Sequence, residues 1–202
     1  MFAGHFALAA AVKSRTPQVP LWALMLSTQL LDVAFVPFLL TGKETIETVE
    51  GAEGYGSSLI HADYTHSLVG ALVLALLAGW LAGRRWGRKA GAIIAAVTMS
   101  HWVLDLVVHR EDLPLLPGNA GDLPLLGLGL WQWPTASIVV ELLLIVVGAA
   151  MYARSLLADR KRALRRATAA KGSARGSWAV WSGACMGALL ALSLIWDVAG
   201  LG

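Results

Sequence analysis

The 202-residue chain is too apolar for an ordinary soluble domain, since hydrophobic residues make up 57% of it, charged residues 14%, and its mean hydropathy is +0.65. Its single cysteine, Cys185, excludes an intrachain disulfide and a cysteine-based metal cluster. The net charge of +3 reflects a basic stretch that suits anionic lipid headgroups. No DNA- or RNA-binding motif accompanies this charge, so we expect no nucleic acid partner.

Apolar runs of about 20 residues, the length that crosses a hydrocarbon core, recur along the chain. We predict an all-α, polytopic transmembrane helical bundle of five long spans plus a short N-terminal helix at residues 2–13. The long spans are expected near residues 20–41, 62–83, 89–109, 130–153 and 178–200. The predicted divisions are a metal-site bundle at 1–155, a basic cytoplasmic loop at 156–177 and a C-terminal transmembrane helix at 178–202.

The cations lie in alternate connections between the predicted spans. They fall at residues 13–15, 84–89 and 154–175, whereas the connections at 42–63 and 110–129 are mostly acidic. Because cytoplasmic loops carry an excess of lysine and arginine, the three basic connections are expected on the cytoplasmic side.

Three side chains of a metal-ligating type follow one another within a single apolar segment. His101, Asp105 and His109 are spaced four residues apart and therefore share one stripe of a helix. An aspartate at the centre of a membrane costs at least ~2.5 kcal/mol, so such groups normally face a protein interior and mark a functional path or site.

Other ionisable residues of the predicted spans converge on the same outer layer, and the inner half has almost none. Histidine and carboxylate ligands without cysteine suit Zn²⁺, or else Mn²⁺ or Fe²⁺, and bridging carboxylates allow one to three ions. We hypothesise that a principal ion is held by Asp32, His66, His101 and Asp105. Candidates for a second ion, or for the shell that orients the first, are His5, His109 and Glu141.

These residues carry a resemblance to a known family, through Gly4-His5, Leu30-Leu31-Asp32, Thr65-His66-Ser67 and Ser100-His101-Trp-Val-Leu-Asp105. Over about residues 1–155 the chain resembles the YdjM-like membrane-bound metal-dependent hydrolases, the LexA-binding proteins of the bacterial inner membrane. The resemblance implies a helical bundle holding metal, with a ligand order similar to that of zinc-dependent phospholipase C. One departure is Val33, where the family often has a second acid.

The expected function is hydrolysis of a phosphoester in a lipid or lipid-linked substrate, at a site open to the extracytoplasmic side. An ion there would activate a water for attack on a phosphoryl or acyl centre. Asp63 and Asp112, near the outer rim, are candidates for accepting or returning a proton.

Two other functions use the same residues. The histidine and aspartate row could conduct protons or metal ions in a transporter, although a conduit should continue into the inner half. The chain could also be a non-catalytic, metal-stabilised scaffold. Individual residues have simpler explanations too: Glu141 could bind a backbone group, and His109 could be a helix end at the interface.

Overall fold

The computed structural model describes the backbone of residues 2–48, 58–169 and 178–198, and the side chains of 2–48, 58–165 and 184–195. Within these ranges the helices are α1 (Phe2–Lys13), α2 (Leu21–Thr28), α3 (Leu30–Leu40), α4 (Leu68–Trp86), α5 (Arg88–Val108), α6 (Pro134–Ala169) and α7 (Trp178–Val198). Two short strands, β1 (Thr45–Thr48) and β2 (Ser58–His61), pair antiparallel between α3 and α4.

The expected membrane protein is confirmed in its main feature, because α4, α5 and α6 are each long and apolar enough to cross a membrane. A fourth span is formed if α2 and α3, which meet at an angle of 49°, are taken together. Five long spans are not confirmed, since the described apolar part of α7 covers only Ala184–Ile195.

Two boundaries differ from the predicted ones. Helix α6 continues to Ala169, so residues 156–169 of the predicted basic loop are helical. Helix α4 begins at Leu68 instead of residue 62, because the side chain of Ser67 accepts a hydrogen bond from the Gly70 amide, 3.0 Å away, and caps the helix. His66 therefore lies just outside the helix, where its direction is set by the preceding turn.

The predicted span at 20–41 is broken at Gln29, whose backbone angles of φ −116° and ψ 9° leave the helical region. A break of this kind frees carbonyls from the helical ladder, and such groups need another donor in an apolar environment. The carbonyl of Thr28, immediately before the break, faces α5 and finds its donor there.

Glycines allow the helices of the bundle to approach closely. Helices α4 and α5 form a hairpin through Gly87, and a side chain at Gly91 would collide with backbone atoms of Gly79 and Gly83. In the same way, a side chain at Gly148 of α6 would collide with the carbonyl of Ala7 in α1. Small residues serve this purpose at helix interfaces in membranes.

The basic residues and the histidine and aspartate residues predicted as metal ligands lie at opposite ends of the bundle. Helix α5 begins at Arg88 beside the basic turn and carries His101 about 20 Å farther along, at about 1.5 Å per residue. The cation-rich ends of α1 and α6 lie at the same end as that turn, and the hairpin of β1 and β2 lies at the other.

The connection between α5 and α6 is non-helical apart from two short 3-10 turns, as its prolines and glycines predict. Its carbonyls at Pro114 and Leu115 accept hydrogen bonds from the first two amides of α4, at 3.0 and 3.2 Å. This connection therefore supplies acceptors that the helix itself cannot offer at its first turn.

Candidate metal centre

Five of the seven predicted metal ligands come together at one end of the bundle. His5 comes from α1, Asp32 from α3, His66 from the turn before α4, and His101 and Asp105 from α5. They form two groups of three that share His101, and within each group the ligand atoms lie within 4.8 Å of one another. The spacing of each group allows a metal ion to be held.

The first group consists of Asp32, His66 and His101. The Nε2 atoms of the two histidines are 3.3 Å apart, and Oδ1 of Asp32 lies 3.3 Å from His66 and 3.5 Å from His101. Tetrahedral Zn²⁺ with bonds of about 2.0–2.1 Å separates its ligand atoms by about 3.3 Å. The three atoms are therefore spaced as three ligands of such a site would be.

The second group joins His5 and Asp105 to His101. Oδ1 of Asp105 lies 3.2 Å from Nε2 of His5, while its Oδ2 lies 2.9 Å from Nε2 of His101 and 3.7 Å from that of His66. The rings of His5 and His101 stack with their centroids 4.0 Å apart. The Asp105 carboxylate thus links both groups, and His5 belongs to the same cluster as the four ligands predicted for the principal ion.

The ring of His101 is oriented by a carbonyl at the break between α2 and α3. Its Nδ1 lies 2.6 Å from the carbonyl oxygen of Thr28. A carbonyl oxygen only accepts hydrogen bonds, so Nδ1 carries a proton and donates it. The neutral ring then has its lone pair on Nε2, which is the atom that faces the cluster.

The ring of His66 is oriented by a chain of two buried side chains. Its Nδ1 lies 2.9 Å from Oγ1 of Thr65, and that hydroxyl lies 3.0 Å from Oε2 of Glu44. The Glu44 carboxylate also accepts hydrogen bonds from the amides of Tyr64 and Thr65, both at 2.8 Å. Because the carboxylate accepts the Thr65 proton, the hydroxyl oxygen accepts the Nδ1 proton of His66, and Nε2 again carries the lone pair.

These two assignments bring two nitrogen lone pairs face to face. With both Nδ1 atoms protonated, the Nε2 atoms of His66 and His101 have no hydrogen between them at 3.3 Å. Either a cation or an additional proton must lie there to relieve the repulsion. The carboxylates of Asp32 and Asp105 beside them favour positive charge. The donor set therefore fits a divalent metal ion, although it does not identify the metal.

His109 lies beside the cluster and belongs to neither group of three. It follows the last residue of α5, its Nδ1 is 2.9 Å from Oδ1 of Asp112, and its ring packs 4.3 Å from that of Trp131. Asp112 is buried by these contacts and does not line the cavity above the cluster, whereas His109 does. Asp112 can therefore act on the cavity indirectly, through His109 and through Ile60, whose amide donates to its Oδ2 at 3.5 Å.

Glu141 and Asp63 are also outside both groups. Glu141 is fully buried, and its Oε1 accepts a hydrogen bond from the Gly4 amide at 2.9 Å. This hydrogen bond anchors the first turn of α1. It is a contact of the kind expected from the alternative explanation that Glu141 binds a backbone group. Asp63 is half-buried, does not line the cavity, and offers its backbone carbonyl to the Gly118 amide at 2.9 Å.

The cluster forms part of the wall of a cavity of about 340 Å³. The polar part of this wall consists of His5, Asp32, Ser58, His66, Asp105 and His109. The apolar part includes Phe2, Phe35, Val36, Ile46, Ile60 and Trp131. Ligand pockets of this size are commonly apolar with a few convergent polar groups.

The contacts that orient the rings of His66 and His101 were not predicted from the sequence. Glu44 is one of five acids between residues 42 and 63, and no local pattern distinguishes it from its exposed neighbour Glu47. Thr28 contributes a backbone atom, which leaves no trace in the side-chain sequence. Thr65 could have been suspected because it directly precedes a predicted ligand.

Comparison with known proteins supports a membrane protein. No curated protein and no solved structure matches the chain. The model of one family, the YdjM inner membrane protein family, matches residues 1–199 and so covers the last helix as well as the metal-site bundle. The chain belongs to the YdjM inner membrane protein family.

Proposed function

We propose that the chain is a multi-pass, metal-dependent hydrolase that cleaves a phosphoester of a lipid or lipid-linked substrate. The observation that carries the proposal is the approach of the Nε2 atoms of His66 and His101 to 3.3 Å, with Oδ1 of Asp32 within 3.5 Å of both. A buried site of this composition in a membrane protein is a functional site by default.

The walls of the cavity support a lipid phosphate as the substrate class. The polar part contains the candidate ligands, while Phe2, Phe35 and Ile46 provide an apolar surface for the chain that carries the phosphate. The position of the basic residues at the other end of the bundle supports an opening toward the extracytoplasmic side.

Within this proposal His66, His101 and Asp32 hold the ion, and Asp105 connects them to His5. A bound divalent ion supplies Lewis acidity toward a phosphoryl oxygen and lowers the pKa of water. His109 lines the cavity and is the group proposed to move a proton, held in position by Asp112. The proposal gives Asp63 no role, because this residue is not among those that line the cavity.

The proposal is tested first by metal content. The full chain is purified in detergent and its metals are quantified by inductively coupled plasma mass spectrometry, for the wild type and for His101→Ala and Asp105→Ala. His61→Ala is the matched control, since His61 is partly exposed, belongs to neither group of three, and has its Nε2 3.7 Å from Glu47. We expect metal in the wild type and the control and loss in the two cluster variants; retention in both cluster variants would refute the site.

Catalysis is tested separately in mixed micelles that contain phosphatidic acid or phosphatidylglycerol. Phosphorus NMR follows the release of inorganic phosphate or of a water-soluble phosphate ester. We expect turnover by the wild type and by His61→Ala but not by His101→Ala. Metal binding without turnover of either lipid would overturn the proposed reaction on these substrates and favour a metal-stabilised scaffold.

A further inference from the structure

A second concave surface lies at the opposite end of the bundle from the metal centre. It is a pocket of about 730 Å³ between the turn that follows α1 and the second half of α6. We call it the basic pocket, and its charged residues are Lys13, Arg15, Arg154, Asp159 and Arg162. It shares no lining residue with the cavity above the metal cluster.

The charge of the basic pocket is strongly positive, with four cations against one acid. Part of this charge is fixed in place, because the Nζ atom of Lys13 donates to the carbonyls of Pro17 and Val19, both at 2.9 Å. Arg162 lies 3.7 Å from Asp159, so the acid is already engaged.

Arg15 and Arg154 are the cations that remain available for a ligand. Both are exposed, and neither makes an ion pair among residues whose side chains the structure describes. They come from different elements, the turn after α1 and the middle of α6, and line the same pocket. A guanidinium binds phosphate oxygens through two parallel hydrogen bonds, so this pair suits a phosphate group.

The pocket also has an apolar side, formed by Met151, Tyr152 and Leu156 of α6. Tyr152 is buried, and the other two are half-buried. A site for free phosphate would need only the cations, whereas a lipid also brings glycerol and the start of its acyl chains. Basic pockets between transmembrane helices recognise anionic lipid headgroups in this manner.

We infer that the basic pocket binds the phosphate of one anionic phospholipid, with Arg15 and Arg154 as the principal contacts. This inference does not depend on the proposed hydrolase, because the pocket lies at the other end of α1 and α6. The bound lipid would join α1 and α6 through its headgroup at the basic end of the bundle. The contact between Gly4 and Glu141 joins the same helices at the other end.

The test uses the full chain, delipidated in detergent and titrated with phosphatidylglycerol, phosphatidylcholine or inorganic phosphate, with bound ligand counted by native mass spectrometry. The variant is Arg15→Gln with Arg154→Gln. The matched control is Arg88→Gln with Lys89→Gln, which removes two exposed cations from the start of α5 at the same end of the bundle.

We expect the wild type and the control to bind phosphatidylglycerol and the pocket variant to bind it at least tenfold more weakly. Phosphatidylcholine should bind weakly to all three proteins. Equal weakening in the pocket variant and the control would overturn the inference, since it would indicate general attraction to positive charge. Competition by inorganic phosphate at the concentration of the lipid would also overturn it, because the site would then recognise the anion alone.

Discussion

The imidazole of His66 and the hydroxyl of Thr65 are sequence neighbours that also contact each other, with Nδ1 2.9 Å from Oγ1. This contact fixes which nitrogen of His66 faces the cluster, and it is anchored in turn by Glu44. The orientation of a candidate ligand at the start of α4 therefore depends on a residue from the connection after α3.

Replacing Thr65 with valine should weaken metal binding without removing a ligand. Valine keeps the shape of threonine but leaves Nδ1 of His66 without its acceptor, and loss of such outer contacts commonly costs 10- to 100-fold in metal affinity. Competition with a chromophoric chelator measures the affinity. Thr65→Ser keeps the hydroxyl and should stay within about threefold of the wild type; an equal loss in both variants would contradict the role of the hydroxyl.

Replacing Glu44 with alanine should destabilise the fold. The carboxylate accepts the amides of Tyr64 and Thr65, and a buried amide left without an acceptor costs about 1–3 kcal/mol. The apparent melting temperature in detergent should therefore fall. Glu47→Ala is the control, because that side chain is 66% exposed; similar melting temperatures for the two variants would contradict this prediction.

Two substitutions of Glu141 distinguish a structural carboxylate from a metal ligand. Glu141→Gln keeps an oxygen for the Gly4 amide, whereas Glu141→Leu removes the acceptor and should lower the stability by about 1–3 kcal/mol. Metal content should be unchanged in Glu141→Gln, as measured by mass spectrometry. Loss of metal in that variant would show that Glu141 is a ligand after all.

Asp112 and Asp63 should differ in their effect on turnover of the proposed substrates. In Asp112→Asn the amide can present N–H to Nδ1 of His109, so the ring loses its fixed hydrogen-bonding state and turnover should fall about tenfold or more. Asp63→Asn should leave turnover unchanged. Initial rates at equal metal loading provide the measurement, and equal losses would contradict the placement of Asp63 outside the site.

Gly148→Ala should disturb the contact between α1 and α6, since the added carbon would collide with the carbonyl of Ala7. Overpacking of a tight interface typically costs about 1–3 kcal/mol. Gly187→Ala in α7 is the matched control, because the described residues leave open space around its position. Thermal unfolding in detergent should show a lower melting temperature for the first variant alone.

The sequence predicted which histidine and aspartate side chains come together better than it predicted the helices around them. Spacing along α5 placed His101 and Asp105 on one stripe, and the cost of charge in lipid indicated that they face protein. The break at Gln29 was not predicted because the segment 20–41 is apolar on average despite Ser27, Thr28, Gln29 and Asp32, and average hydropathy does not register a change of direction. The hairpin of β1 and β2 was missed for a related reason, since its four-residue strands carry little periodic signal.

The role of Glu44 required coordinates because it depends on a distant part of the chain. Glu44 meets Thr65 across a connection of about 20 residues, and only the fold selects it from the nearby acids. Asp112 stays a predicted proton-transfer residue, and its contact with the nearby His109 gives a way for it to influence the cavity without lining it.

The acceptor that orients His101 belongs to the peptide group of Thr28, so no change of side chain at that position can delete it. Residue 28 could therefore vary during evolution while its main-chain oxygen still accepts the hydrogen bond from His101. Comparing residue identities would not reveal the importance of this oxygen. Removing this oxygen by chemical synthesis, or changing the bend between α2 and α3, would free the His101 ring from this hydrogen bond.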